Sequence, residues 1–322
     1  MSGLLKLQKP KITRGVRDPY SQIIAVGGGK GGVGKSFLSS NLGIFLANMG
    51  FNTVLVDLDL GSANLHTCIG ENLPDRGFDD LLLTDSKNLE DVLTTTKIPN
   101  LRIVTMADKN FNFTSLNIDK KSQLMSAIFN LKADFVILDL SAGIDDTTID
   151  FFLMAQHQLI AVNPEPSSIE NAYRFMKAAF LRKVKRFERQ FDLTLLLQKL
   201  QANADKYQIR HPVDLLNQLE EHDPEAALAL FEQLRKLEFK IVMNQTRTAK
   251  DAGLGHSIKS VSHKYFGLPT RFIGYLDYDN AVWQALRKRR PVVLESPQSR
   301  LYAQLMTIAR GIVSESDVKK AG

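Results

Sequence analysis

Two lysines, Lys30 and Lys35, stand five residues apart inside one glycine-rich run, GGGKGGVGKS (27–36). Residues 29–36 fit the spacing G-x-x-x-x-G-K-[ST]. In that spacing glycines let the backbone turn tightly and aim N–H groups at phosphate oxygens. The lysine then reaches the β- and γ-phosphates, and the hydroxyl after it binds Mg²⁺. Lys35 and Ser36 hold those two positions. The run QIIAV precedes the loop and the helical pattern SFLSSNLGIFLANMG follows it. That is the strand–loop–helix setting the motif needs, with the positive end of the helix dipole facing the anion. Gly29, Lys30, Gly31, Gly32, Val33, Gly34, Lys35, Ser36 and Phe37 are therefore the candidate residues for binding nucleotide phosphate, ATP and Mg²⁺ being the expected ligands.

Three carboxylates follow apolar runs. VLVDLDLGSANLH sets Asp57 and Asp59 two residues apart at a strand end, where alternation puts them on one face. One can support a metal shell and the other can orient an attacking water. DFVILDLSAGID carries Asp139 after four apolar residues, the Walker B pattern that holds metal-bound water. A lone carboxylate at such a place also serves as a turn or cap residue.

The segment KGGVGKS (30–36) resembles the deviant phosphate loop of the MinD/ParA family of dimerising ATPases. The resemblance implies that Lys30 crosses to the nucleotide of a partner subunit, where a lysine stabilises transition-state charge as an arginine finger does. It implies that Lys30, Lys35 and Asp59 are the catalytic residues, with Asp59 positioning water. Asp57 would lie near Mg²⁺ beside Ser36 and Asp139. SAGI (141–144) resembles the second switch loop, where Gly143 would sense the γ-phosphate. NQTRT (244–248) resembles the adenine-binding segment, which makes Asn244 and Arg247 base-site candidates.

AVNPEPSSIENAYRFMKAAF (161–180) and GYLDYDNAVWQALRKRRPVVLESPQSR (274–300) are similar to the FlhG/FleN branch of flagellar-number ATPases. The expectation is an ATP-dependent homodimeric switch that controls placement or number of a cellular structure by holding a partner or a surface. The flagellum is one such structure. It would act in the cytoplasm or at the inner face of the membrane. The alternative is a ParA-like partitioning ATPase that binds DNA non-specifically. Three features depart from the branch: Asp277 stands where proline is usual, a D-Q-A-x-x-L-R motif is absent, and a helical stretch interrupts the domain.

The elements that must carry these residues are legible as β-branched runs: 22–26, 52–59, 101–106, 134–140, 158–163, 239–244 and 270–276. Helical patterns separate most of them. Near-continuous apolar strands alternating with helices predict an α/β fold, a P-loop NTPase with a mostly parallel, doubly wound sheet covered on both faces. From about 180 to 237 no strand signal appears, which predicts a helical insertion. Phe180, Val184, Phe187 and Phe191 share one helical face there. Leu215, Leu216 and Leu219 form a second stripe, and Leu228, Phe231 and Leu234 a third. Pro212 and Pro224 read as first-turn prolines, the latter capped by Asp223. The insertion is the expected docking surface for a protein partner, its basic run Arg182–Arg189 facing an acidic partner or lipid. The expected order is a flexible basic segment at 1–20, an ATPase domain at 21–313 and a flexible tail at 314–322. A C-terminal helix with Leu301, Leu305, Ile308 and Ile312 on one face is expected to pack on the body rather than enter a membrane.

The chain has 322 residues and a net charge of +6. That balance permits attraction to nucleic acid or anionic lipid, and the basic runs equally suit solvated helix faces. Its one cysteine, Cys68, excludes an internal disulfide framework and the paired-cysteine iron–sulfur carriers built on this scaffold. The tail lacks the tyrosine cluster of a related kinase class.

Overall fold

A computed structural model describes residues 21–59, 63–83, 88–106, 116–191 and 193–320. The N-terminal segment 1–20 lies outside the described residues. The chain runs β1 (Gln22–Gly27), α1 (Lys35–Asn48), β2 (Thr53–Leu58), α2 (Leu65–Cys68), α3 (Phe78–Leu83), β3 (Thr94–Thr95), β4 (Leu101–Val104), α4 (Ile118–Phe129) and β5 (Phe135–Leu140). It continues with α5 (Asp146–Met154), β6 (His157–Val162), α6 (Pro166–Phe191), α7 (Thr194–Ala202), α8 (Pro212–His222) and α9 (Pro224–Arg235). The last elements are β7 (Phe239–Thr246), α10 (Ala249–Phe266), β8 (Thr270–Asp277), α11 (Asn280–Arg287), α12 (Val292–Glu295) and α13 (Arg300–Lys320).

All seven expected strands form and, with a short eighth, β3, are hydrogen-bonded in the order β3-β4-β2-β5-β1-β6-β7-β8. β2 and β4, β6 and β7, and β7 and β8 pair in parallel. Every residue of β2, β5 and β6 is buried, which is why these strands read as unbroken apolar runs. β3 has no sequence signal. It is two residues long, antiparallel to β4 with Thr94 opposite Ile103, and too short for any periodicity.

The residues pack into two compact units, the first being Met1–Ile24, Ser36–Asp139 and Asn280–Gly322, the second Ala25–Lys35 and Leu140–Asp279. The span 21–313, expected as one ATPase domain, draws on both. In the first unit α1 buries Leu38, Leu42, Phe45 and Leu46, and Phe45 meets Tyr302 of α13 edge-on at 4.8 Å between ring centres. Leu301, Leu305, Ile308 and Ile312 are all buried. Each such side chain contributes about 1.5–3 kcal/mol when removed from water, so the terminal helix is held by its unit. The tail expected to be flexible from 314 is helical through Lys320.

In the second unit α6 is one helix of 26 residues, so the stretch expected to open the insertion is its C-terminal half. Phe180, Val184 and Phe187 are buried along it. Asp223 caps α9 by accepting the Ala226 N–H at 3.0 Å, and Pro224 follows at the first helical position. The stripe on α9 is Ala226, Ala227, Leu230 and Leu234, whereas Leu228 is 62% exposed. At about 100° per residue, position 228 falls on the opposite side of the helix from 226 and 230. The insertion is anchored to its unit: the His211 and Tyr265 rings lie 4.6 Å apart, and Val213 packs beside Gly267 at the end of α10.

The basic run is also partly committed. Arg182 grips both oxygens of Asp150, at 2.8 and 2.7 Å, and reaches Asp146 at 2.7 Å. Arg186 meets Asp150 at 2.5 Å. These two arginines tie α6 to α5, so they do not present free charge to an acidic partner as the sequence suggested.

Candidate nucleotide site

The loop after β1 belongs to the second unit, and its two lysines have different surroundings. Lys35, the first residue of α1, is 8% exposed. Its stem passes where a Cβ on Gly28 would stand, 3.7 Å away. Lys30 points elsewhere. Its Nζ donates to Glu165 Oε2 at 2.8 Å and to Ser167 Oγ at 3.0 Å, at the start of α6. One loop thus holds one lysine inside its curve and sends the other outward.

Glycine is required at two places for different reasons. A Cβ on Gly29 would lie 2.1 Å from the Asn171 carbonyl oxygen, so the loop can touch α6 only without a side chain. Gly34 has φ of 90°, a conformation that costs L-residues strain. The far side of the loop is pinned by β7. Asn244 Nδ2 donates to the Val33 carbonyl at 2.8 Å, and its Oδ1 accepts the Gln245 N–H at 2.9 Å. Asn244 therefore positions the loop. Arg247, three residues on, is exposed and stacks on the Tyr278 ring, 4.2 Å from its centre. Asp277, which stands in place of the usual proline, ends β8 by accepting the Thr246 hydroxyl at 3.0 Å. Gly143 turns the chain between β5 and α5 with φ of 122°.

The first unit carries Ser36, Phe37 and the carboxylates. Asp57 on β2 and Asp139 on β5 are buried on neighbouring strands. Asp57 accepts the Leu65 N–H at 2.9 Å and the Asp59 N–H at 3.2 Å. Asp139 accepts the Ser39 hydroxyl at 2.9 Å. β2 ends at Leu58, so Asp59 lies beyond the strand and is half-buried rather than sharing a strand face with Asp57. Burial, and next the charge of Asp139, push the Asp57 carboxyl up to about 8. Two carboxylates this close and this dry cannot both ionise cheaply without a compensating cation. Cys68 feels the same pair: burial first, then Asp139 and Asp57, push its thiol up to about 12. It is a thiol at neutral pH and a poor nucleophile.

The donor set is oxygen-rich and fits Mg²⁺, which takes one or two carboxylates and leaves other positions to water and phosphate. Among the described residues no three His, Cys, Asp or Glu side chains cluster to hold an ion alone. No described helix is long and apolar enough to cross a membrane.

Glu165, Ser167 and Ser39 were not singled out by the sequence. Glu165 and Ser167 lie in NPEPSS, whose resemblance was visible while its partner was not. Ser39 sits one helical turn after Lys35, on the same side of α1.

A family described as AAA domain matches residues 21–195. The antiactivator FleN of Pseudomonas aeruginosa is 28% identical over 295 residues, 91% of this chain and 86% of FleN. The septum site-determining protein MinD of a Synechocystis species is 32% identical over 157 residues, 48% of this chain and 58% of that protein. The septum site-determining protein MinD of Pyrococcus horikoshii, solved with Mg-ADP, superposes with a TM-score of 0.61 at 18% identity, covering 93% of this chain and 98% of that one.

Proposed function

Given that the chain belongs to the AAA-domain family matched above, among the MinD/ParA P-loop ATPases, we propose that it is a nucleotide-gated switch of the MinD/FlhG type. Two subunits come together on ATP, the dimer holds a protein partner or a membrane surface, and hydrolysis releases it. Through that cycle it controls where, or how many times, a cellular structure is built. The similarity to FleN makes the flagellum the first structure to examine.

The observation that carries this reading is the division of labour between the two loop lysines. Lys35 lies inside the loop, where it meets the β- and γ-phosphates of its own nucleotide. Lys30 sits outside, on Glu165 and Ser167, available to a neighbour's nucleotide. Ser36, Asp57 and Asp139 would hold Mg²⁺, which neutralises charge developing on the transferred phosphoryl group. Asp59, free of strand constraints, orients the attacking water. Asn244 keeps the loop in register and Arg247 with Tyr278 offers a flat cationic face for the base. Gly143, in its turn before α5, answers the γ-phosphate. The insertion supplies the partner surface through its exposed face, where Leu195 and Leu228 stand in solvent.

The test is size-exclusion chromatography with ATP and Mg²⁺. Asp59→Ala should bind ATP, hydrolyse it far more slowly and elute as a dimer, while Lys35→Ala should lose tight nucleotide binding. A strictly monomeric Asp59→Ala protein, or unchanged affinity in Lys35→Ala, overturns the reading. A ParA-like DNA-binding role is favoured by one observation, the exposed run Arg287–Arg290.

A further inference from the structure

The segment 280–294, NAVWQALRKRRPVVL, contains no acidic residue. It forms α11 and α12 in the first unit, and three large apolar side chains on it face solvent: Trp283 at 60% exposure, Leu286 at 39% and Leu294 at 47%. Four consecutive exposed cations, Arg287, Lys288, Arg289 and Arg290, join them. Glu295 partners two of these, Lys288 at 3.6 Å and Arg290 at 2.8 Å. The Arg287 guanidinium lies 4.7 Å from the centre of the Trp283 ring. The other side of α11 is closed: Ala285 is buried, and Val282, Ala285, the inner edge of Leu286 and Arg290 line a small cavity against Phe37, Asn41 and Cys68. Trp283, Leu294 and the outer part of Leu286 thus stay in solvent beside a basic run of which Glu295 answers two members, leaving Arg287 and Arg289 exposed.

We propose that α11 and α12 form a docking surface for anionic lipid headgroups, with Trp283, Leu286 and Leu294 entering the interface and Arg287 and Arg289 meeting phosphate. Composition separates lipid from nucleic acid as the occupant. A polyphosphate backbone rewards the cations and gives nothing to exposed leucines. A bilayer interface rewards both, because an indole and aliphatic side chains sit at headgroup depth while arginines reach the charge above them. Trp with an overlying Arg is amphipathic in the manner such a boundary favours. The terminal helix α13 cannot serve in its place as it stands, since its apolar face is spent on its own unit. This proposal deepens the surface-binding part of the reading above, and it can be tested without nucleotide.

Trp283 is the sole tryptophan in the chain, so emission excited beyond the absorption of its tyrosines reports on this surface. The full chain is mixed with vesicles of equimolar phosphatidylglycerol and phosphatidylcholine, and separately with phosphatidylcholine vesicles. The expected result is a blue-shifted emission and co-sedimentation with the anionic vesicles only. Arg287→Glu with Arg289→Glu should weaken that binding about tenfold or more, because each basic residue near an anionic leaflet contributes measurably. Leu286→Ser with Leu294→Ser should reduce it with the charges intact, and circular dichroism should show both doubles folded. Three results overturn the proposal: no emission shift with anionic vesicles, a shift that appears with rising protein concentration and no lipid, or tight binding to unrelated duplex DNA with none to vesicles. The second would assign the surface to another copy of the chain and the third to nucleic acid.

Discussion

Lys30 Nζ lies 2.8 Å from the Glu165 carboxylate, joining a phosphate-type loop to the residue that precedes α6, 135 residues away in sequence. Lys30 is 38% exposed and Glu165 56%, so the pair contributes no more than about 1 kcal/mol to folding. Its consequence is for position: the lysine is held outside its own loop, as the proposed transfer to a neighbouring subunit requires.

Specific ATPase activity should therefore rise with protein concentration as dimers form, and Lys30→Ala should flatten that rise without moving the melting temperature. Steady-state phosphate release across the monomer–dimer range measures it. A wild-type activity per subunit that is constant over that range contradicts transfer of Lys30 to a neighbour.

Burial, and next the charge of Asp139, push the Asp57 carboxyl from its ordinary 3.8 up to about 8 in the folded chain. The folded state thus binds the proton more tightly than the unfolded state between these values. Stability from this group is fully present below the unfolded value and is lost as pH rises through about 8. The nucleotide-free protein should lose on the order of 2 kcal/mol between mildly acidic and mildly alkaline buffer from this source. Asp57→Asn should flatten the curve and be the more stable protein at high pH. Urea unfolding across pH decides it; equal slopes for both proteins would remove Asp57 as the cause.

Gly29→Ala should displace the loop. The new methyl group would meet the Asn171 carbonyl at 2.1 Å, and neither backbone can yield freely. A loss of about 1–3 kcal/mol is expected from overpacking, with weaker nucleotide binding. Gly31→Ala, whose Cβ meets nothing within 4 Å, is the control and should fold normally.

Two leucines of the insertion should part company. Leu219 is fully buried, so Leu219→Ala should cost about 2–5 kcal/mol. Leu228 is exposed, so Leu228→Ala should change stability by less than about 0.5 kcal/mol while weakening partner capture. Replacing 192–236 by a linker would strip cover from α6 and α10, so these point changes are the cleaner probe of docking.

The sequence by itself determined seven of the eight strands and the strand–loop–helix setting of the glycine-rich run, because each depends on local rules. Buried parallel strands must be apolar along their length, and a phosphate loop needs glycines, a lysine and a hydroxyl at fixed intervals. Asp223, Pro212 and Pro224 marked helix starts for the same reason, since capping is settled within a few residues. What the tertiary structure alone decided is where each charge is spent. Arg182 and Arg186 look free in the sequence and are bound to Asp150 and Asp146. Arg287 and Arg289 look no different and stay exposed, Arg287 over the Trp283 ring. Leu228 reads as part of a stripe until the neighbours of α9 fix which side faces inward. The partner of Lys30 could not be read at all, because Glu165 reaches it only through the path of the intervening chain. Local physics writes the elements and their chemistry into neighbouring residues, whereas pairing between distant side chains depends on packing that no short stretch encodes.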